Sequence, residues 1–196
     1  MKKKLLENWL IIGIILFMLA IININRLLPY PHAESLLIDM KPFFPDWGIL
    51  GEGIESIPQG VLGGRKAIDT ATTTYESKEG SIRQDVYQFK DCSDSSEYYP
   101  QELPFRQADG WVTLPEIKYS SPTALQSYFS CEQSTFAPQM AGCAYVAQYG
   151  AYVIVVDGSW LVNSQVTHTN LQEAVKAVDG TLRIAKPDVL AAKKIL

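Results

Sequence analysis

The sequence predicts an α+β domain: an antiparallel sheet of about five strands with helices mainly on one face, preceded by one N-terminal transmembrane helix. Three observations point there. Runs rich in β-branched and aromatic residues alternate with a period of two between residues 67 and 157. Apolar residues at three- and four-residue spacing close the chain. Thirteen consecutive residues, 10–22, carry no polar side chain and follow Lys2, Lys3 and Lys4.

The N-terminal run comes first. With Trp9 and Ile24 it fills a stretch over residues 9–25, edged by Leu5, Leu6, Leu27 and Leu28. That length reaches the roughly 17–25 residues a helix needs to cross a bilayer. Trp9 stands where interfacial aromatics lie, and Asn23 and Asn25 fall where headgroups can satisfy them. No A-x-A site follows the run, and no Cys near residue 20 could carry a lipid, so an anchor is favoured over a cleaved signal. The lysines place the N-terminus in the cytoplasm and the bulk of the chain outside the cell membrane. The expectation is a single-pass protein contacting the lipid bilayer through residues 9–25, with almost nothing inside the cell.

Residues 29–64 read as a Pro/Gly-rich juxtamembrane segment, partly packed on the domain. Pro29, Pro31, Pro42 and Pro45 interrupt any long helix, while Phe43, Phe44 and Trp47 argue against an exposed linker. A short helical turn fits residues 33–40. The domain proper spans 65–187. "KAIDTATTTY" and "SIRQDVYQF" form a hairpin around the turn "SKEG". "DCSDSSEYYPQ" gives a short helical turn ended by Pro100. "GWVTLPEIKY" is a strand whose Pro115 marks an edge or bulge. "SSPTALQSYFSCEQ" starts like a helix, with Ser121 as N-cap and Pro122 at the first position. "CAYVAQYGAYVIVVDG" is a hairpin in which Gly150 supplies positive φ, and the unbroken run Val153–Val156 marks a central strand. In the last helix Leu171, Ala174, Val175, Val178, Leu182 and Ala185 share a stripe, Thr169 and Gln172 fit a capping box, and Gly180 marks a bend. Residues 188–196 form a tail.

Charge restricts the function classes. The chain holds 17 basic and 21 acidic residues. Without Lys2, Lys3, Lys4, Arg26 and Glu7, 13 basic and 20 acidic residues remain, a balance of −7. Such a domain lacks the clustered cations that phosphate backbones require, so no nucleic acid is expected as partner.

Cys92, Cys131 and Cys143 all fall in the outward part, where an oxidising compartment permits a disulfide and leaves one thiol over. Cys131 and Cys143 are the preferred pair, bracketing "EQSTFAPQMAG" and joining the end of a helix to the central hairpin. Cys92 would then be a buried free thiol. Its pairing with either partner stays open, because geometry decides.

The chemistry-bearing motifs are few. His32 and His168 stand in no metal-ligand spacing, and there is no G-x-S-x-G elbow or phosphate-binding loop. Asp91, Asp94 and Glu97 are spaced for capping and lack the alternation of a calcium loop. No catalytic residue, cofactor or metal is assigned. Glu116 and Asp157 are the acids most firmly placed by the strand pattern, although Asp157 before Gly158 reads as a turn residue. The aromatics suggest more: Trp111, Tyr145, Tyr149, Tyr152 and Trp160 are candidate binding-face residues, and the same residues serve equally to pack a half-buried sheet.

Three stretches carry a resemblance: "LLIDMKPFFPDWG", "YVAQYGAYVIVVDG" and "LQEAVKAVDGTLRIAK". Together they cover about a third of the chain. They resemble bacterial exported or membrane-anchored domains of unknown function, including the extracellular sensor-like domains of actinobacterial kinases and small lipoproteins. The chain departs from that pattern in having an anchor without a lipid-bearing Cys, and three cysteines instead of two pairs. The resemblance implies a binding or sensing role outside the membrane and assigns no functional residue. The expected function is a non-catalytic extracytoplasmic domain that binds a protein or small ligand. The alternatives are an assembly subunit of a cell-envelope complex, or an anchored hydrolase with a nonlocal acidic site.

Overall fold

The structure, a computed structural model, describes residue 14 and residues 31–53, 67–102, 110–114, 117–164 and 167–185. The chain divides into two compact units, Met1–Pro31 and His32–Leu196. Apart from Ile14, which is helical, the anchor expected over residues 9–25 lies outside the described residues, as do Pro115, Glu116 and the tail. Among the described residues no helix is long and apolar enough to cross a membrane.

Among the described residues seven strands, not five, build the second unit's sheet: β1 (Gly48–Gly53), β2 (Asp69–Ser77), β3 (Gly80–Gln88), β4 (Trp111–Thr113), β5 (Gln126–Ser134), β6 (Met140–Tyr149) and β7 (Tyr152–Leu161). The order is β1-β2-β3-β7-β6-β5-β4, and every pairing is antiparallel. The sheet is therefore two meanders, β1-β2-β3 and β4-β5-β6-β7, joined edge to edge along β3 and β7. Among the described residues two α-helices accompany it, α1 (Cys92–Glu102) and α2 (His168–Ala185).

The helices do not share a face, as the sequence pattern suggested. Leu171, Ala174, Val175 and Val178 of α2 pack with Ile82, Val86, Tyr145, Ala147, Ile154 and Val156. Leu36 from a 3-10 turn at Ala33–Leu36, with Met40, Phe44 and Trp47, joins the same cluster. On the other face Tyr98 and Tyr99 of α1 pack with Tyr87, Phe89, Val146, Val153 and Val155. Both faces of β7 are thus covered, which is why Val153–Val156 needs no polar alternation.

Residues 31–53, the described part of the Pro/Gly-rich segment, belong to the fold. Its Phe44 and Trp47 are buried, and β1 extends the sheet beside β2. Ile38 N–H donates to Oε1 of buried Gln84 at 3.1 Å, and Met40 N–H to the Tyr75 hydroxyl at 3.2 Å.

Both tight hairpins form as the sequence indicates. Tyr149 pairs with Tyr152 across Gly150 and Ala151, and only Gly150 has positive φ (60°), the pattern of a type II′ turn. Ser77 pairs with Gly80 across Lys78 and Glu79. A Cβ at Gly80 would lie 2.1 Å from Ser159 O and 2.7 Å from Trp160 Cα, so β3 and β7 approach too closely there for any side chain.

Three local expectations are corrected. Residues 126–134 form β5, not a helix. Ser121 does act as a local cap, its Oγ accepting from Thr123 N–H (3.1 Å) and Ala124 N–H (2.8 Å). Leu125 N–H then turns to Gln148 O at 2.8 Å, and pairing with β6 takes over. Helix α1 runs through Pro100 to Glu102, started by Asp91, whose Oδ1 accepts from Ser93 and Asp94 N–H at 2.9 and 3.0 Å. Helix α2 is capped two residues earlier than expected. Asn170 Oδ1 accepts from Thr167 N–H and Oγ1, while Gln172 reaches across to Lys118 O at 2.9 Å. The helix continues through Gly180.

Candidate functional site

The candidate aromatics lie mostly inside. Tyr145, Tyr149, Tyr152 and Trp160 are buried and form no exposed face. Trp111 is half-buried on β4. Trp160 meets His168 edge-on at 5.6 Å. The alternation that suggested a surface places odd residues of β6 and even residues of β7 under α2.

Two of these tyrosines belong to a polar cluster that the sequence pattern did not reveal. Asp179 projects from α2 into the interior and is 4% exposed. Ser121 Oγ donates to its Oδ1 at 2.7 Å, and the Tyr149 hydroxyl donates to the same oxygen. Tyr145 OH and Thr123 Oγ1 approach it at 3.3 Å each, while Tyr119 OH donates to Oδ2. The Tyr145 and Tyr149 hydroxyls are 2.7 Å apart. All five groups around the carboxylate are donors, so the cluster satisfies a buried charge by hydrogen bonds. Burial foremost, and the nearby Asp179 carboxylate, push the phenols of Tyr119, Tyr145 and Tyr149 well above the ordinary tyrosine range. This cluster ties α2 to the 119–123 segment and β6. It was legible in one respect: Asp179 stands on the same helical stripe as Val175 and Leu182.

The other face of the sheet carries a second polar arrangement, a shelf. Beyond the area covered by α1, the side chains become polar. Across adjacent strands the register sets Thr74, Arg83, Asp157, Ala144 and Ser130 in one row. The next row runs Glu76, Ser81, Ser159, Gly142 and Glu132. Arg83 Nε donates to Asp85 Oδ1 at 2.8 Å, and Thr72 Oγ1 donates to the same oxygen. Asp85 and Glu132 are buried, Asp157 is half-buried and Arg83 is exposed. Gly142, Ala144, Ser130 and Ser159 stand between Arg83 and Glu132 in these two rows.

Asp157 therefore does not serve a turn. It lies in mid-strand opposite Arg83, and Gly158 follows because a Cβ there would meet Ile82 Cγ1 at 2.6 Å. Among the described residues no group of three His, Cys, Asp or Glu could hold a metal ion. The shelf combines carboxylates, hydroxyls and a guanidinium; of its charged groups Arg83 is exposed and Asp157 half-buried, while Asp85 and Glu132 are buried.

The disulfide joins Cys131 and Cys143, directly opposite each other on β5 and β6, with both cysteines in the core. It links two strands, not a helix and a strand. Cys92 is the free thiol and is exposed at the start of α1, in contrast to the buried position expected.

No family model matches this chain, and no curated protein matches it significantly. Solved structures to which it is similar include two. One is the extracellular domain of PknH from Mycobacterium tuberculosis, at 14% identity and a TM-score of 0.49, covering 79% of this chain and 96% of that one. The other is an uncharacterized protein from Mycobacterium smegmatis, an Rv0999 ortholog, at 14% identity and a TM-score of 0.43, covering 79% and 100%.

Proposed function

We propose that this chain is a membrane-anchored extracytoplasmic domain that binds a small polar ligand or a partner on the shelf around Arg83 and Asp157, without catalysis. The observation that carries the location is the Cys131–Cys143 bond buried in the core, since structural disulfides persist in oxidising compartments. The apolar run over residues 9–25 behind three lysines supports the same placement. The shelf supports the binding role: its exposed Arg83 stands directly opposite half-buried Asp157 on adjacent strands.

Cys92 provides the test of location. Its thiol is exposed and unbridged, so a membrane-impermeant maleimide should label it in intact cells. Labelling that requires lysis would reject the orientation. For the shelf, small polar ligands that raise the melting temperature of the wild-type chain should lose their effect in Arg83→Ala and Asp157→Asn. Hits that survive both substitutions would remove the shelf from the proposal.

A further inference from the structure

The second unit begins at His32, and its last described residue is Ala185, where α2 ends. Both points lie at one end of the sheet. Asp69 Oδ2 accepts from Ala33 N–H at 2.9 Å and lies 3.3 Å from His32 Nδ1, so the entry is fixed at the first residue of β2. Register carries that level across the sheet: Asp69 pairs with Gln88, Gln88 with Tyr152, and Tyr152 with Tyr149. Helix α2 starts at the opposite end, where His168 meets Trp160, the partner of Gly80. It then runs to Asp179, which accepts from the Tyr149 hydroxyl. Residues 180–185 add about 9 Å in the same direction. Strands β2 and β6 are three positions apart in the sheet, about 14 Å.

The sequence beyond Ala185 differs in charge from the fold it leaves. Residues 30–185 hold 10 basic and 19 acidic residues, whereas residues 186–196, "KPDVLAAKKIL", hold three lysines and one aspartate. Six of those 11 residues are apolar, and Val189, Ala192 and Leu196 recur at spacings of three and four beside Lys193 and Lys194. An apolar stripe flanked by lysines is the composition of segments that lie in a membrane interface. Residues 26–31 alone separate His32 from the apolar run over 9–25, a reach of at most about 21 Å. Residues 186–196 reach about 38 Å when extended. We infer that residues 186–196 are a second membrane contact, resting on an anionic lipid surface through Val189, Leu190, Ile195 and Leu196, with Lys193 and Lys194 at the headgroups. This rests on the anchor proposed for residues 9–25. A bilayer is the occupant because that anchor holds one within the segment's reach and because the lysines complement anionic headgroups. So short a segment binds lipid weakly by itself, but tethering beside the surface raises its effective concentration to about the millimolar range. Two attachments at one end stop the domain from swivelling about its link at His32.

The test uses the full chain in vesicles of phosphatidylcholine and phosphatidylglycerol, with Cys92→Ser to remove the free thiol. A polarity-sensitive fluorophore is placed on Ala191→Cys and, separately, on Gln139→Cys, an exposed position at the opposite end of the sheet. Lipid carrying a spin label at its headgroup should quench the label at 191 at least threefold more than the label at 139. Lys193→Glu with Lys194→Glu should bring the 191 label down to the level of the 139 label. A variant ending at Ala185 should still float with the vesicles, because residues 9–25 retain it. Equal quenching of the two labels in a chain that floats overturns the inference and leaves the anchor standing. So does a blue-shifted 191 label that lipid does not quench, which places the segment on protein. Quenching that survives both Glu substitutions rejects the anionic surface as partner. A full chain that fails to float rejects the anchor and this contact together. Flotation lost only on ending the chain at Ala185 rejects the anchor and keeps the contact.

Discussion

Replacing Asp179 with Ala isolates what the buried carboxylate contributes. The substitution removes the acceptor of five hydroxyl groups. Tyr145 and Tyr149 keep one another at 2.7 Å, so one proton of that pair and the Ser121 hydroxyl lose their acceptor in a buried space. Tyr119 and Thr123 are half-buried and can turn to water. Hydrogen bonds to a charged group contribute about 1.5–3 kcal/mol each, so two buried losses amount to about 3–6 kcal/mol. Releasing the carboxylate from its own desolvation offsets part of this. The expected net destabilisation is about 2–4 kcal/mol. With a urea slope of about 2 kcal/mol per molar, the unfolding midpoint, followed by tryptophan fluorescence, should fall by roughly 1–2 M. Asp179→Asn keeps one acceptor oxygen and should lose about half as much. Tyr149→Phe combined with Asp179→Ala should be less harmful than the sum, with a coupling of about 1 kcal/mol or more. A midpoint shift below about 0.3 M for Asp179→Ala would refute the reasoning, because the hydroxyls would then be satisfied without the carboxylate.

The remaining predictions address other features. Raising the pH should leave stability flat to about pH 10 and then reduce it. The unfolded phenols titrate near 10 while Tyr145 and Tyr149 are held above that, so the unfolded chain loses protons first, at about 1.4 kcal/mol per pH unit for each phenol. Urea midpoints unchanged to about pH 11 would contradict this. Removing the disulfide as Cys131→Ala with Cys143→Ala should cost about 3 kcal/mol for a separation of 12 residues, read against the oxidised parent. Gly180→Ala should stabilise by about 1 kcal/mol and raise the melting temperature by about 2–4 °C, since nothing lies within 4 Å of the added methyl. Gly80→Ala should destabilise by roughly 1–3 kcal/mol, because the atoms it meets are backbone and cannot move aside.

How far the fold could be read from sequence follows from the range of the forces involved. The hairpins β2–β3 and β6–β7 and the stripe of α2 were legible because each is decided within about ten to twenty residues by periodicity and turn chemistry. The segment 121–134 was misread for the same reason. Ser121 and Pro122 signal a helix start, but the outcome depends on β6, with which Cys131 is bridged. The helices' separation onto two faces depends on the connection from β3 to β4, which passes to the far edge of the sheet and carries α1 with it. Nothing in a local pattern encodes that route. The polar shelf was equally hidden: Arg83, Asp85, Asp157 and Glu132 come from three strands distant in sequence and meet only through register. Cys131 and Cys143 were legible as a pair because a short loop separates them.

The two-meander topology also orders the folding of the chain. Within each meander every strand pairs with its neighbour in sequence, so hairpins can form locally in about 1–10 μs. The β3–β7 seam is different. Gln88 must find Tyr152, and Gly80 must find Trp160, across a long intervening stretch whose closure entropy is lost before any of the seam's hydrogen bonds form. Closing that seam is therefore expected to limit the folding rate. It is also the step at which β3 brings Ile82 and Val86 to the cluster under α2 and Tyr87 to the cluster under α1.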